Sequence, residues 1–124
     1  MNREELETYI LKTYNAKQDF PWVKYPTYEV FRHADSKKWF ALIMNLPKEK
    51  LGIAGVGTLD VINLKCAPDL IGSLRIEKGF FPAYHMNKEH WITAVLDASV
   101  PDDKIKMLLD MSYKLTAPKQ NRKI

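Results

Sequence analysis

Apolar residues recur at helical spacing near both ends of the chain and at two-residue spacing in its middle, and that change of period leaves few folds open. Over residues 2–14, Leu6, Tyr9, Ile10 and Thr13 form an amphipathic stripe. Asn2 is placed to cap this helix, Glu4, Glu5 and Glu7 sit where the helix dipole favours acids, and Asn15 stops it. At the other end Pro101 opens a helix with Asp102 and Asp103 in its first turn. Its inner stripe is Ile105, Leu108, Leu109 and Ser112, and Pro118 ends it. Between them, residues 60–66 alternate: Ile62, Leu64 and Cys66 on one side, Val61, Asn63 and Lys65 on the other. The first set is expected in the core, and the mixed second set is expected to leave that face open to solvent or ligand.

The other segments fit the same frame. Residues 28–32 and 39–45 predict a hairpin across the polar turn 33–38, with 39–45 apolar on both faces like a central strand. Phe20, Trp22 and Tyr25 among Pro21 and Pro26 predict a packed loop, and the glycines of 47–58 a second loop. A short helix is expected over 68–77, opened by Pro68 and ended by Gly79. Residues 80–84 predict a strand weakened by Pro82, Asn87 caps one helical turn over 88–90, and 91–96 predict a further strand. The order α, β, β, β, α, β, β, α, with hairpins and helices outside them, predicts an α+β fold: an antiparallel sheet of about five strands, the terminal helices on one face, and a short central helix.

At 124 residues, 46% hydrophobic and 27% charged, the chain is expected to form one domain with its own core. We assign residues 1–118 to that domain and 119–124 to a basic tail. One cysteine allows no internal disulfide, the N-terminus opens on charged residues, and no apolar run is long enough to span a membrane. The expectation is a cytoplasmic monomer with no membrane contact. The net charge is +4, but Lys114, Lys119, Arg122 and Lys123 all follow the last acid, Asp110, so the rest of the chain is formally neutral. Overall basicity therefore says little about partners.

Catalytic and metal-binding patterns are sparse. His85 and His90 are five apart, which pairs them on neither a helix nor a strand, so they and His33 make no zinc set. Cys66 alternates with Ile62 and Leu64 and reads as a small buried hydrophobe. Residues 52–57 lack the Lys-Ser/Thr of a phosphate loop and the dinucleotide-binding spacing, and no nucleophile elbow occurs. We expect no enzyme activity, cofactor or metal.

Two segments carry more polar groups than a core needs: Asn63-Leu64-Lys65-Cys66, and the run from Tyr84 through His85, Met86, Asn87, Lys88, Glu89 and His90 to Trp91. Cations interleaved with aromatic rings are the mix that grips phosphates and stacks bases. The competing structural role puts Tyr84 and Trp91 in the core, Asn87 in a cap and His85 in a hydrogen-bond hub. These segments, with Phe20-Pro21-Trp22, Val30-Phe31-Arg32, Lys38-Trp39-Phe40-Ala41 and Ser99-Val100-Pro101-Asp102-Asp103, resemble the MmcQ/YjbR-like family from the first helix to the last. Two departures are Ala67, where an acid often follows the cysteine, and Ala98, where glycine is usual in the final turn. The resemblance implies a frataxin-like (CyaY-like) fold and DNA binding by a double-wing arrangement, with Lys65, His85, Asn87 and Lys88 as contacts. Arg32, Lys37 and Lys38 join them as neighbouring cations. Two rivals stand beside nucleic-acid binding. A protein-interaction or regulatory module is favoured if the cations scatter evenly over the surface, and a small-ligand binder if a pocket converges on His85.

Overall fold

The end-to-end helices and the alternating middle assemble around one antiparallel sheet. The computed structural model describes residues 1–118, so the basic tail assigned to 119–124 lies outside the described residues. The elements are α1 (Arg3–Thr13), β1 (Ala16–Asp19), β2 (Glu29–His33), β3 (Trp39–Pro47), a 3-10 turn (Lys48–Leu51), β4 (Thr58–Lys65), α2 (Pro68–Leu74), β5 (Phe80–Pro82), β6 (Trp91–Val95) and α3 (Asp102–Leu115). The sheet order is β1-β2-β3-β4-β6-β5, with every neighbour antiparallel.

Local chemistry sets the helix ends. The Asn2 side chain accepts from the Glu5 amide at 2.8 Å and Glu5 accepts from the Asn2 amide at 2.9 Å, a reciprocal cap that satisfies two otherwise unpaired donors. Leu6 and Ile10 of α1, Ile71 and Leu74 of α2, and Ile105, Leu108 and Leu109 of α3 are all buried in one cluster with Phe31, Phe40, Ile43, Ile62, Leu64 and Ile92 of the sheet. All three helices therefore cover the same face. Burying each such side chain stabilises the fold by about 1.5–3 kcal/mol relative to leaving it in water.

The sheet has six strands where the sequence predicts about five. The added strand is β1, whose residues Ala-Lys-Gln-Asp carry no apolar alternation; it exists because it pairs with β2, from Ala16↔His33 to Asp19↔Val30. The helical turn expected over 88–90 is a hydrogen-bonded turn instead, although Asn87 does hold it, accepting Glu89 N–H on its side chain at 2.8 Å and Trp91 N–H on its carbonyl at 3.0 Å.

A larger correction concerns the second face. It is not an open polar surface. Val30, Leu42, Met44, Leu46, Val61 and Val95 form a second buried cluster, covered by Trp22, Tyr28, Trp39, Tyr84 and Met86. Asn63, expected to face solvent, is fully buried: its amide donates to the Tyr84 carbonyl at 2.8 Å and its oxygen accepts from Thr93 Oγ1 at 2.5 Å. Alternation sorted the faces correctly, but it could not show that loops fold back over the one without helices.

At one end of the sheet the ladder is interrupted. β2 and β3 shift register between Phe31 and Arg32, so Arg32 pairs with Trp39 and Phe40 bulges. The β3–β4 register ends at Ala41↔Leu64. Beyond it, the buried Ser112 hydroxyl of α3 takes the next rung, accepting Lys65 N–H at 2.9 Å and donating to the Phe40 carbonyl at 2.5 Å.

Candidate nucleic-acid interface

Strand register carries a row of side chains across the face opposite the helices. Lys17 on β1 pairs with Arg32 on β2, Arg32 with Trp39 on β3, and Lys65 at the end of β4 with Trp91 on β6. Arg32 shares parity with Val30, Lys65 with Val61 and Trp91 with Val95 of the second cluster, Lys17 follows its partner Arg32, and the bulge at Phe40 turns Trp39, out of parity with Leu42, onto that same face. Arg32 lies 5.6 Å from the centre of the Trp39 ring and is held by Asp19 at 2.6 Å. Lys17, Asp19, Arg32 and Lys37 line a shallow cleft of about 340 Å³. Lys37 sits in the β2–β3 turn at φ 68 and donates to the Ala34 carbonyl at 3.1 Å. Its pKa is lowered, chiefly by the neighbouring Lys17 side chain and its positive charge. An anion bound in the cleft that Lys17 and Lys37 both line would relieve that repulsion.

The remaining expected residues separate. Lys38 is exposed in the same turn. His85 follows β5 with φ 59, a left-handed conformation uncommon outside glycine, which sets its ring 4.0 Å from that of Tyr84. It lines a cleft of about 290 Å³ with Trp22, Tyr25, Tyr28, Trp39, Leu42, Met44 and Met86. Lys88, three residues on, lines another cleft beside β5 with Lys50, Leu51 and Tyr84. Asn87 is engaged in its own turn, and Lys65 stands half-buried in the cross-sheet row.

The aromatic cleft is the feature the sequence did not disclose as a site. Trp22 meets Trp39 edge-on at 5.5 Å and Tyr28 at 6.2 Å, while Tyr25 and Tyr28 stack at 4.8 Å and 13°. Its only signal in the sequence is the density of aromatics over residues 20–28, which by itself points no further than a packed loop. Cys66, by contrast, behaves as expected. It is buried beside Met111, and burial pushes its thiol pKa up, away from thiolate chemistry.

Charge is divided between the two sides. The three helices, the connections 75–79 and 96–101 and the helix-facing strand residues Glu29 and Asp60 carry eleven acids and seven cations. The opposite strand positions, with the loops 20–28, 34–38, 47–57 and 83–90, carry nine cations and four acids. The neutral body is thus polarised, with its positive side carrying the aromatic cleft.

Comparison with known proteins places the chain among close relatives. The YjbR family model matches residues 11–115. The chain is similar to YyaQ of Bacillus subtilis (strain 168), 43% identical over 116 residues, which cover 94% of this chain and 98% of YyaQ. It is also similar to YjbR of Escherichia coli (strain K12), 39% identical over 67 residues, 51% of this chain and 57% of that protein. A crystal structure of a Pseudomonas syringae protein superposes with a TM-score of 0.92 at 50% identity, covering 94% of this chain and 100% of that one. The Deinococcus radiodurans protein DR2400 superposes with a TM-score of 0.72 at 25% identity, covering 96% and 80%. The α+β architecture is therefore that of solved relatives.

Proposed function

The chain belongs to the YjbR family, and from that premise we propose that it binds nucleic acid through the side of its sheet opposite the helices. The observation that carries this reading is the division of charge: nine cations against four acids on the opposite strand positions and the loops between strands, against eleven acids and seven cations on the helices, their connections, Glu29 and Asp60. A polyanion is drawn to such a side and repelled from the other, so it arrives oriented. Arg32, Lys37, Lys38, Lys65 and Lys88 are the phosphate contacts in this reading, joined by Lys17 and Lys50, with His85 and Asn87 of the loop that carries Lys88 as hydrogen-bonding groups. The rival interaction-module reading called for evenly scattered cations, which this division disfavours.

The test is fluorescence anisotropy with labelled duplex and single-stranded DNA over a salt series, comparing the native chain with Arg32→Ala/Lys65→Ala. Affinity should fall linearly on a log–log plot, by about 0.9 per duplex phosphate neutralised and about 0.7 per single-strand phosphate. The double variant should bind more weakly and with a shallower slope, by about one for each phosphate that is no longer neutralised. Binding that ignores salt, or no binding to either DNA, would refute the reading.

A further inference from the structure

The aromatic cleft and the Lys17–Arg32–Lys37 group share a wall, because Arg32 of the cationic cleft lies against Trp39 of the aromatic one. We propose that the aromatic cleft takes one unpaired nucleobase while the cationic group holds the adjoining phosphate, so that the preferred ligand is a single strand or a nucleotide and not a duplex. This rests on the nucleic-acid reading above and narrows it.

Three observations support this occupant. First, the cleft is walled by four aromatic rings that meet edge-to-face or stacked, with Leu42, Met44 and Met86 completing its lining. Flat π surfaces are what a base stacks on, whatever its identity. Second, its volume of about 290 Å³ lies at the lower limit for ligand sites, which suits a single ring system and not an extended molecule. Third, charge selects among flat or cage-filling ligands. An aromatic cage of this kind would also suit a quaternary ammonium, but Arg32 already stands over Trp39 and the surrounding side is positive, so a cation is repelled. A base carrying phosphate meets both requirements. Bases in a duplex are stacked on their neighbours and cannot enter, so the base must be unpaired. His85, turned towards the cleft by its left-handed backbone, supplies a ring nitrogen at the rim for the edge of the base.

The experiment uses the full chain with four probes: a labelled fifteen-nucleotide oligothymidylate, the same length of abasic deoxyribose-phosphate strand, the matching duplex, and a nucleoside monophosphate followed by quenching of tryptophan fluorescence. The oligothymidylate should bind more tightly than the abasic strand and the duplex. Tyr25→Ala, a change at a half-exposed ring, should weaken oligothymidylate binding about ten-fold and leave abasic-strand affinity and its salt slope unchanged. Trp39→Leu should act in the same direction. Quenching by the monophosphate that Tyr25→Ala removes would support the same base site with a free nucleotide as its source. Equal affinity for the abasic strand, or tighter binding of the duplex, would overturn the base site while leaving polyanion binding intact. No binding of any strand would overturn both.

Discussion

Ser112→Ala tests whether the helix layer closes a gap in the sheet. In a continuous ladder Phe40 would face Lys65, since the register runs through Ala41↔Leu64. The bulge at Phe40 parts them, and the Ser112 hydroxyl fills the space with bonds to both. Alanine removes one oxygen, leaving Lys65 N–H and the Phe40 carbonyl unpaired around a side chain with no solvent access. Each of the two orphaned groups costs about 1–3 kcal/mol, so the expected loss is about 2–6 kcal/mol. For a chain of 124 residues, with an unfolding entropy of about 2.1 cal/mol/K per residue, that lowers Tm by roughly 8–23 °C. Urea unfolding should show a lower midpoint at an unchanged slope, and hydrogen exchange should show the Lys65 amide losing protection. A loss below about 0.5 kcal/mol, or an undiminished Lys65 amide, would mean that the strands close on each other without the hydroxyl and would refute its role as the missing rung.

Other changes follow from the same structure. Burial raises the Glu29 carboxyl to about 7, against the pull of Arg3 at 3.0 Å, so the folded state holds an extra proton between about pH 4.5 and 7. That contribution falls as pH rises through the window, by on the order of 3 kcal/mol. Burial lowers the pKa of His33, stacked on Tyr113 at 4.2 Å, so its contribution runs the other way and is lost as pH falls below about 6.5. Glu29→Gln should therefore leave a stability profile that rises with pH up to about 6.5; an unchanged profile in chemical denaturation would sink the assignment. Ala98 occupies φ 73, where its Cβ is strained, and Ala98→Gly should stabilise by about 0.5–1 kcal/mol in the same assay despite glycine's added unfolded-state freedom, a destabilisation being the contrary result. Gly79→Ala should cost at least about 2 kcal/mol, because at φ +92 its Cβ would stand 2.6 Å from Val100 Cγ2; a neutral effect would show that this turn yields freely.

The sequence determined most of the architecture, because period and caps are local. Leu6 and Ile10 at helical spacing, the Asn2 cap, Pro68 and Pro101 at helix starts and the alternation through Ile62 and Leu64 all act over a few residues, and each appears in the folded chain. The resemblance also anticipated the family and the glycine-favouring geometry at Ala98. What only the tertiary structure decided depends on partners distant in the chain. Residues 16–19 have no strand signal of their own and become one by pairing with β2. Asn63 looks like a surface residue until the Tyr84 carbonyl and Thr93 satisfy it in the interior. Cations and acids balance along the chain up to its basic end, yet the fold places most acids behind the sheet and most of the body's cations before it. Trp22, Tyr25, Tyr28 and Trp39 likewise become a cleft only when a proline-bounded loop closes over the sheet. Side-chain alternation tells a strand which way each residue points, but what lies opposite is chosen by the whole chain.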